Sequence, residues 1–197
     1  MVATLTRQSW LFAIGSACFA AATVPGFSAA AGASTANLLC FVGSWFFTTA
    51  AWMQLRLSGQ EWTTEWVSAV TQFLGTILFN VSTGSAVVAH AVLTERRLVW
   101  APDATGSLAF LISGVLGVVA VSVGIGRLAL KSRDWQAEWI NLIGCAAFGV
   151  SAVAAFVTKT GVTEDVVLAN LGTFLGALCF LAAALMLLPP QSVKARE

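Results

Sequence analysis

Charge is what this 197-residue sequence has least of: ten Lys and Arg, nine Asp and Glu, 10% of the chain in all. An ordinary soluble domain carries about 25%, and a chain so poor in charge has little to place on a water-facing surface. The net charge of +1, with cations scattered one to three at a time, excludes the concentrated basic face that nucleic-acid phosphates require. Tyrosine is absent and histidine occurs once, so a multi-histidine metal cluster or haem pair within one chain is excluded. No His-Glu-x-x-His, Gly-x-Ser-x-Gly or glycine-rich phosphate loop is present, and Gly124-Ile-Gly126 is too short to be one. The four cysteines, Cys18, Cys40, Cys145 and Cys179, lack Cys-x-x-Cys spacing and read as small apolar residues. With no nucleophile–base pair visible, the sequence predicts no enzyme: no catalytic residue, no cofactor and no metal.

What the sequence does have is apolar length. Hydrophobic residues make up 58% of it, gathered into six stretches at about 10–31, 37–55, 66–92, 106–125, 139–157 and 166–188. At 1.5 Å per residue each is long enough, or nearly so, for a hydrocarbon core of about 30 Å. They lack the alternation of barrel strands, so helices are expected. The fold class predicted is an all-α polytopic membrane protein: one membrane domain over 1–197 with six transmembrane helices.

Six spans place both termini on one side. That side collects Arg7, Arg56, Arg127, Lys131, Arg133, Lys194 and Arg196, against Arg96, Arg97 and Lys159 on the other. The positive-inside rule then puts both termini in the cytoplasm of a cell-membrane protein, with Trp10, Trp62, Trp66, Trp135 and Trp139 at the cytoplasmic interface. A competing expectation is a secretory signal: Arg7, then the apolar run 10–24, then small residues ending at Ala31.

Against a discarded leader stands an internal pattern. Glycine followed four residues later by phenylalanine occurs at Gly15–Phe19, Gly43–Phe47, Gly75–Phe79, Gly106–Phe110, Gly144–Phe148 and Gly176–Phe180, once per span. With 17 Gly and 13 Phe, chance supplies about one such pair. Residues i and i+4 share a helix face, so the glycine admits a neighbouring backbone and the phenylalanine fills the space one turn away. Trp10, Ile14, Gly15, Ala17 and Phe19 recur in register as Trp139, Ile143, Gly144, Ala146 and Phe148. Ala36, Asn37, Leu38, Phe41, Gly43 and Phe47 recur as Ala169, Asn170, Leu171, Phe174, Gly176 and Phe180. The unit predicted is a helical hairpin written three times in tandem, over about 8–57, 62–126 and 135–188.

Gly-Ser-Ala-Cys-Phe at 15–19, Gly-Ser-Trp-Phe-Phe at 43–47 and Gly-Ser-Leu-Ala-Phe at 106–110 resemble the Gly-Ser-x-x-Phe signature of YrhK-like membrane domains. The resemblance covers the helix cores alone. It implies short two-helix units of no established activity, here three in tandem, and brings no catalytic residue with it. Where this chain has Gly-Cys, Gly-Thr or Gly-Ala it departs from that pattern.

The third span is the most polar. At 100° per residue, Gln72, Thr76, Asn80, Thr83 and His90 fall within a stripe about 80° wide. Such a stripe either lines a solute track or bonds neighbouring helices, and the second use is the commoner one. Asn37, Asn141 and Asn170 stand near helix starts as caps or interhelical donors. Glu65 and Glu138, each between tryptophans one turn apart, read as equivalent first-turn carboxylates suited to the helix dipole or as docking points. The function expected is a non-enzymatic accessory or assembly subunit, using its notched faces to meet a protein partner or another copy within the lipid bilayer. The alternative is a small oligomeric transporter or channel using the polar stripe, for which the sequence shows no acid within a span.

Overall fold

The computed structural model describes residues 2–188 apart from His90. It is helical throughout: α1 (Val2–Thr23), α2 (Phe27–Ala31), α3 (Ala33–Leu57), α4 (Thr64–Val88), α5 (Val92–Thr94), a π-helical segment (Glu95–Trp100), α6 (Ala101–Ile125), α7 (Arg133–Ala154) and α8 (Val166–Met186). Among the described residues there is no strand, only an isolated antiparallel bridge between Val157 and Thr163. Four helices, Ala33–Leu57, Val92–Ile125, Arg133–Ala154 and Val166–Met186, are long and apolar enough to cross a membrane. α1 and α4 are as long, 22 and 25 residues, but α4 concentrates the polar residues Thr71, Gln72, Thr76, Asn80, Ser82 and Thr83.

The start signals are local. Thr63 accepts a hydrogen bond from the Trp66 N–H, Ser132 from the Trp135 N–H and Asp165 from the Leu168 N–H, capping α4, α7 and α8. Two boundaries differ from those read off hydropathy. The stretch 10–31 is broken after Thr23, because Pro25 disfavours helical geometry in the residue before it and Gly26 takes a left-handed φ of 90°. The stretch beginning at 106 extends back to Val92. Ala101 donates to the Arg96 carbonyl, five residues back, just before Pro102, which has no N–H to give. Hydropathy marks where a helix enters an apolar medium; hydrogen bonding carries it on through Glu95, Arg96 and Arg97.

The six long helices close a ring. Each packs on the helix before it and the helix after it, α1 on α3, α3 on α4, α4 on α6, α6 on α7 and α7 on α8, and α8 returns to α1. The chain runs up and down in sequence order around one axis. The core on that axis is aromatic: Phe19, Phe47, Phe79, Phe110, Phe148 and Phe180, each between 3% and 6% exposed. Leucines, valines and isoleucines of all six helices face outward, the inside-out arrangement expected where the surroundings are as apolar as the core.

Candidate functional site

The glycines explain how six large rings reach one axis. A Cβ on Gly15 would stand 2.9 Å from the Gly43 carbonyl oxygen and 3.0 Å from the Phe47 ring, and one on Gly43 would meet Cys18 at 2.8 Å and the Phe19 ring at 3.1 Å. The same reciprocal fit joins Gly75 to Phe110 and Gly106 to Phe79, then Gly144 to Phe180 and Gly176 to Phe148. In every hairpin the phenylalanine of one helix lies over the glycine of the other, so the notches are filled from within the chain.

The rings form two tiers. Phe19, Phe79 and Phe148, from the helices running one way, make a triangle of edge-to-face contacts with centroids 5.7 to 6.4 Å apart. Below it Phe180 meets Phe47 and Phe110 at 6.0 and 6.1 Å. The tiers join through Phe19–Phe47, Phe79–Phe110 and Phe148–Phe180 at 5.6, 4.9 and 5.2 Å, each contact contributing about 0.5–1.5 kcal/mol beyond the area buried. The void among Phe19, Ser44, Phe47, Phe79, Phe110 and Phe148 is about 10 Å³, at the lower limit for one water. The middle of the axis is a dry plug.

A cavity lies on the axis at each end of the plug. Toward the end that carries Arg7, Arg56 and Arg133, a cavity of about 70 Å³ has Phe47, Phe110 and Phe180 as its floor and Gln8, Gln54, Gln72, Glu138 and Asn141 in its walls. Toward the other end, two adjoining cavities of about 320 and 530 Å³ share Asn37, Asp103, Asn170 and Thr173. Each end holds an acid on the axis, Glu138 at one and Asp103 at the other. Among the described residues neither forms an ion pair or a hydrogen bond. Both acids are half-buried and line their cavities, where a proton or a cation would offset the cost of a carboxylate with no partner.

The polar stripe of α4 is mostly spent on its neighbours. Asn80 donates to Thr48 Oγ1 at 2.9 Å and Thr83 to Ser44 Oγ at 3.1 Å, tying α4 to α3. Ser113 donates to the Gln72 amide oxygen at 3.2 Å and to the Ser68 carbonyl at 2.9 Å, tying α4 to α6. Thr76 is fully buried, its hydroxyl on the Phe73 carbonyl. Gln72 reaches the first cavity and Thr83 the second, but Thr76 and Asn80 line neither, so phenylalanines interrupt the stripe. His90 lies outside the described residues.

The asparagines divide by use. Asn37 donates to the Ala86 carbonyl at 2.9 Å, joining α3 to α4 in the wall of the cavities it shares with Asn170, while Asn141 lines the cavity at the opposite end. Glu65 and Glu138 are not equivalent. Glu65 is an exposed first-turn residue of α4, while Glu138 sits a turn deeper in α7, where Asp134 fills the first-turn position. Counted back six residues from the notch glycines Gly75 and Gly144, Glu138 matches Ala69. The tryptophan pattern aligned the two glutamates one turn out of register. Glu138 and Asp103 are the residues that hydropathy missed, because each precedes the apolar stretch of its helix. Their signal is register: Asp103 is three residues before Gly106 and Glu138 six before Gly144, on faces turned toward the axis. No family model, curated protein or solved structure matches the chain.

Proposed function

We propose that this chain is a non-enzymatic cell-membrane protein that passes a small cation along the axis of its helix ring, with the six phenylalanines as a closed hydrophobic gate. The observation that carries this reading is the alignment of cavities, each with polar side chains and a partnerless carboxylate in its lining, on opposite sides of one aromatic plug. Negative charge at a pore mouth draws cations in, and an apolar constriction too narrow to wet blocks them until its rings turn aside. All six long helices then cross the membrane as three hairpins, with both termini cytoplasmic. Support for the two more polar spans, α1 and α4, is that each supplies a ring to the plug and closes the helix circle. The YrhK-like resemblance of the helix cores agrees with hairpins as the unit of assembly.

The accessory-subunit reading drew its partner surface from the glycine notches. Those notches are occupied inside the chain, which moves the weight to the axis. The test is cation flux in proteoliposomes containing the purified protein. Wild-type flux should be low, and Phe79→Leu, which keeps the plug apolar while removing one ring from it, should raise it at least tenfold. No flux from either protein, together with a stoichiometric partner recovered in mild detergent at native expression, would overturn the axial reading in favour of the accessory subunit. Labelling of Gln60→Cys from the cytoplasm and Thr160→Cys from outside, in a background with the native cysteines replaced, checks the topology.

A further inference from the structure

The two cavities differ in kind, and the smaller one is the better-defined site. Its lining holds one charged group, Glu138, and no lysine, arginine or histidine. Asp134 and Glu65 lie near enough to add like charge at Glu138. Four amide side chains, Gln8, Gln54, Gln72 and Asn141, stand around it, and the Gln8 amide oxygen is buried with no partner. The floor is three phenylalanine rings, with Phe12 in the wall.

We infer that this cavity binds a small organic ammonium ion, with Glu138 as its counter-charge, the amide oxygens as acceptors for its N–H or polarised C–H groups, and the phenylalanine faces against its cationic carbon shell. The inference rests on the axial reading for the route of entry. Three observations select this class over an alkali or divalent ion. A divalent cation takes about 6–8 oxygens at about 2.3–2.6 Å, carboxylates prominent among them, whereas the lining offers one carboxylate beside its four amides and no group of three or more His, Cys, Asp or Glu able to hold a metal occurs among the described residues. Four phenylalanines, Phe12, Phe47, Phe110 and Phe180, line the cavity, which suits a cation whose charge is spread over methyl or methylene groups and attracted to ring faces. The volume of about 70 Å³ is several times the 10–15 Å³ that one water occupies, and so admits a molecule of several heavy atoms.

The experiment is equilibrium binding to the full chain purified in mild detergent, by isothermal titration calorimetry at constant ionic strength. Tetramethylammonium and methylammonium chloride are titrated against sodium and potassium chloride. Saturable binding of an organic ammonium, at least tenfold tighter than either alkali ion and weakened at least tenfold by Glu138→Gln, is the expected result. Equal or tighter binding of sodium or potassium, unchanged affinity in Glu138→Gln, or no saturable heat at all would overturn it. Should Glu138→Gln fail to give a monodisperse protein, Gln72→Leu and Asn141→Leu, which remove acceptors without touching the acid, carry the test with the same expected loss. Flux is measured separately on the same preparations. Binding without flux would sink the conduit and leave the site; flux without ammonium binding would do the reverse.

Discussion

The middle of the axis and its two ends obey different rules. In the middle every helix contributes a glycine and a phenylalanine four residues apart, and each ring fills the notch of its hairpin partner. At the ends the same register holds unlike residues. Three positions before the notch glycines stand Phe12, Gln72 and Asn141 on one set of helices and Cys40, Asp103 and Thr173 on the other. Six positions before stand Ser9, Ala69 and Glu138. Where three copies must interlock, each constrains the others and the pattern is uniform. Where the helices diverge around a cavity that constraint is gone, and one copy of three can carry an acid. Substitutions in the middle should therefore damage folding, and substitutions at the ends should damage function while sparing the fold.

The largest effect is expected from Gly144→Leu or Gly43→Leu. Each places a branched side chain where even a Cβ meets a ring or a neighbouring helix at 2.7 to 3.1 Å, beyond the about 1–3 kcal/mol of ordinary overpacking. Fluorescence-detected size exclusion should show loss of the monodisperse species, and a normal profile would break the claim that the interlock holds the hairpins. Next comes Phe148→Ala, which removes a ring in contact with Phe19, Phe79 and Phe180 and should cost about 3–5 kcal/mol of stability. A thermal unfolding midpoint unchanged from wild type would show the plug to be loosely packed.

Smaller is Asn80→Leu. It removes the bond to Thr48 and should lower stability by about 1 kcal/mol, the usual scale of an interhelical hydrogen bond in lipid, with flux unaltered. Flux abolished in a folded Asn80→Leu protein would place the path along α4 instead of the ring axis, and so erase the distinction between glue and conduit. The smallest effect on folding is expected from Glu138→Gln. Removing a half-buried, partnerless charge leaves stability unchanged or raised while cation flux falls. A marked drop in thermal stability would instead make Glu138 a structural residue.

Much of the middle was legible beforehand. Glycine and phenylalanine at i and i+4 define one face of one helix, and that information is local, so the residues of the interlock could be named from spacing, but not which ring each glycine would meet. The polar stripe was legible only as a choice between glue and track. Gln72 and Asn80 lie on the same face of α4, yet one ends in a cavity and the other on Thr48, a difference made by the neighbouring helix. The break at Pro25 and Gly26 was written in residue type, but a run of apolar residues masked it. Glu138 was matched to Glu65 because tryptophans flank both, and only packing shows which turn faces inward.

By itself the sequence determined the helices, their apolar faces and the notch on each, because helical periodicity and side-chain volume are properties of a segment. The tertiary structure decided that α8 returns to α1, that six rings converge on a single axis, and that two acids from different helices end in cavities on opposite sides of them. Periodicity says which residues share a face, but not which helix that face will meet. That second fact comes from closing the ring, and on this chain it separates a bundle of notched hairpins from an axis with a gate.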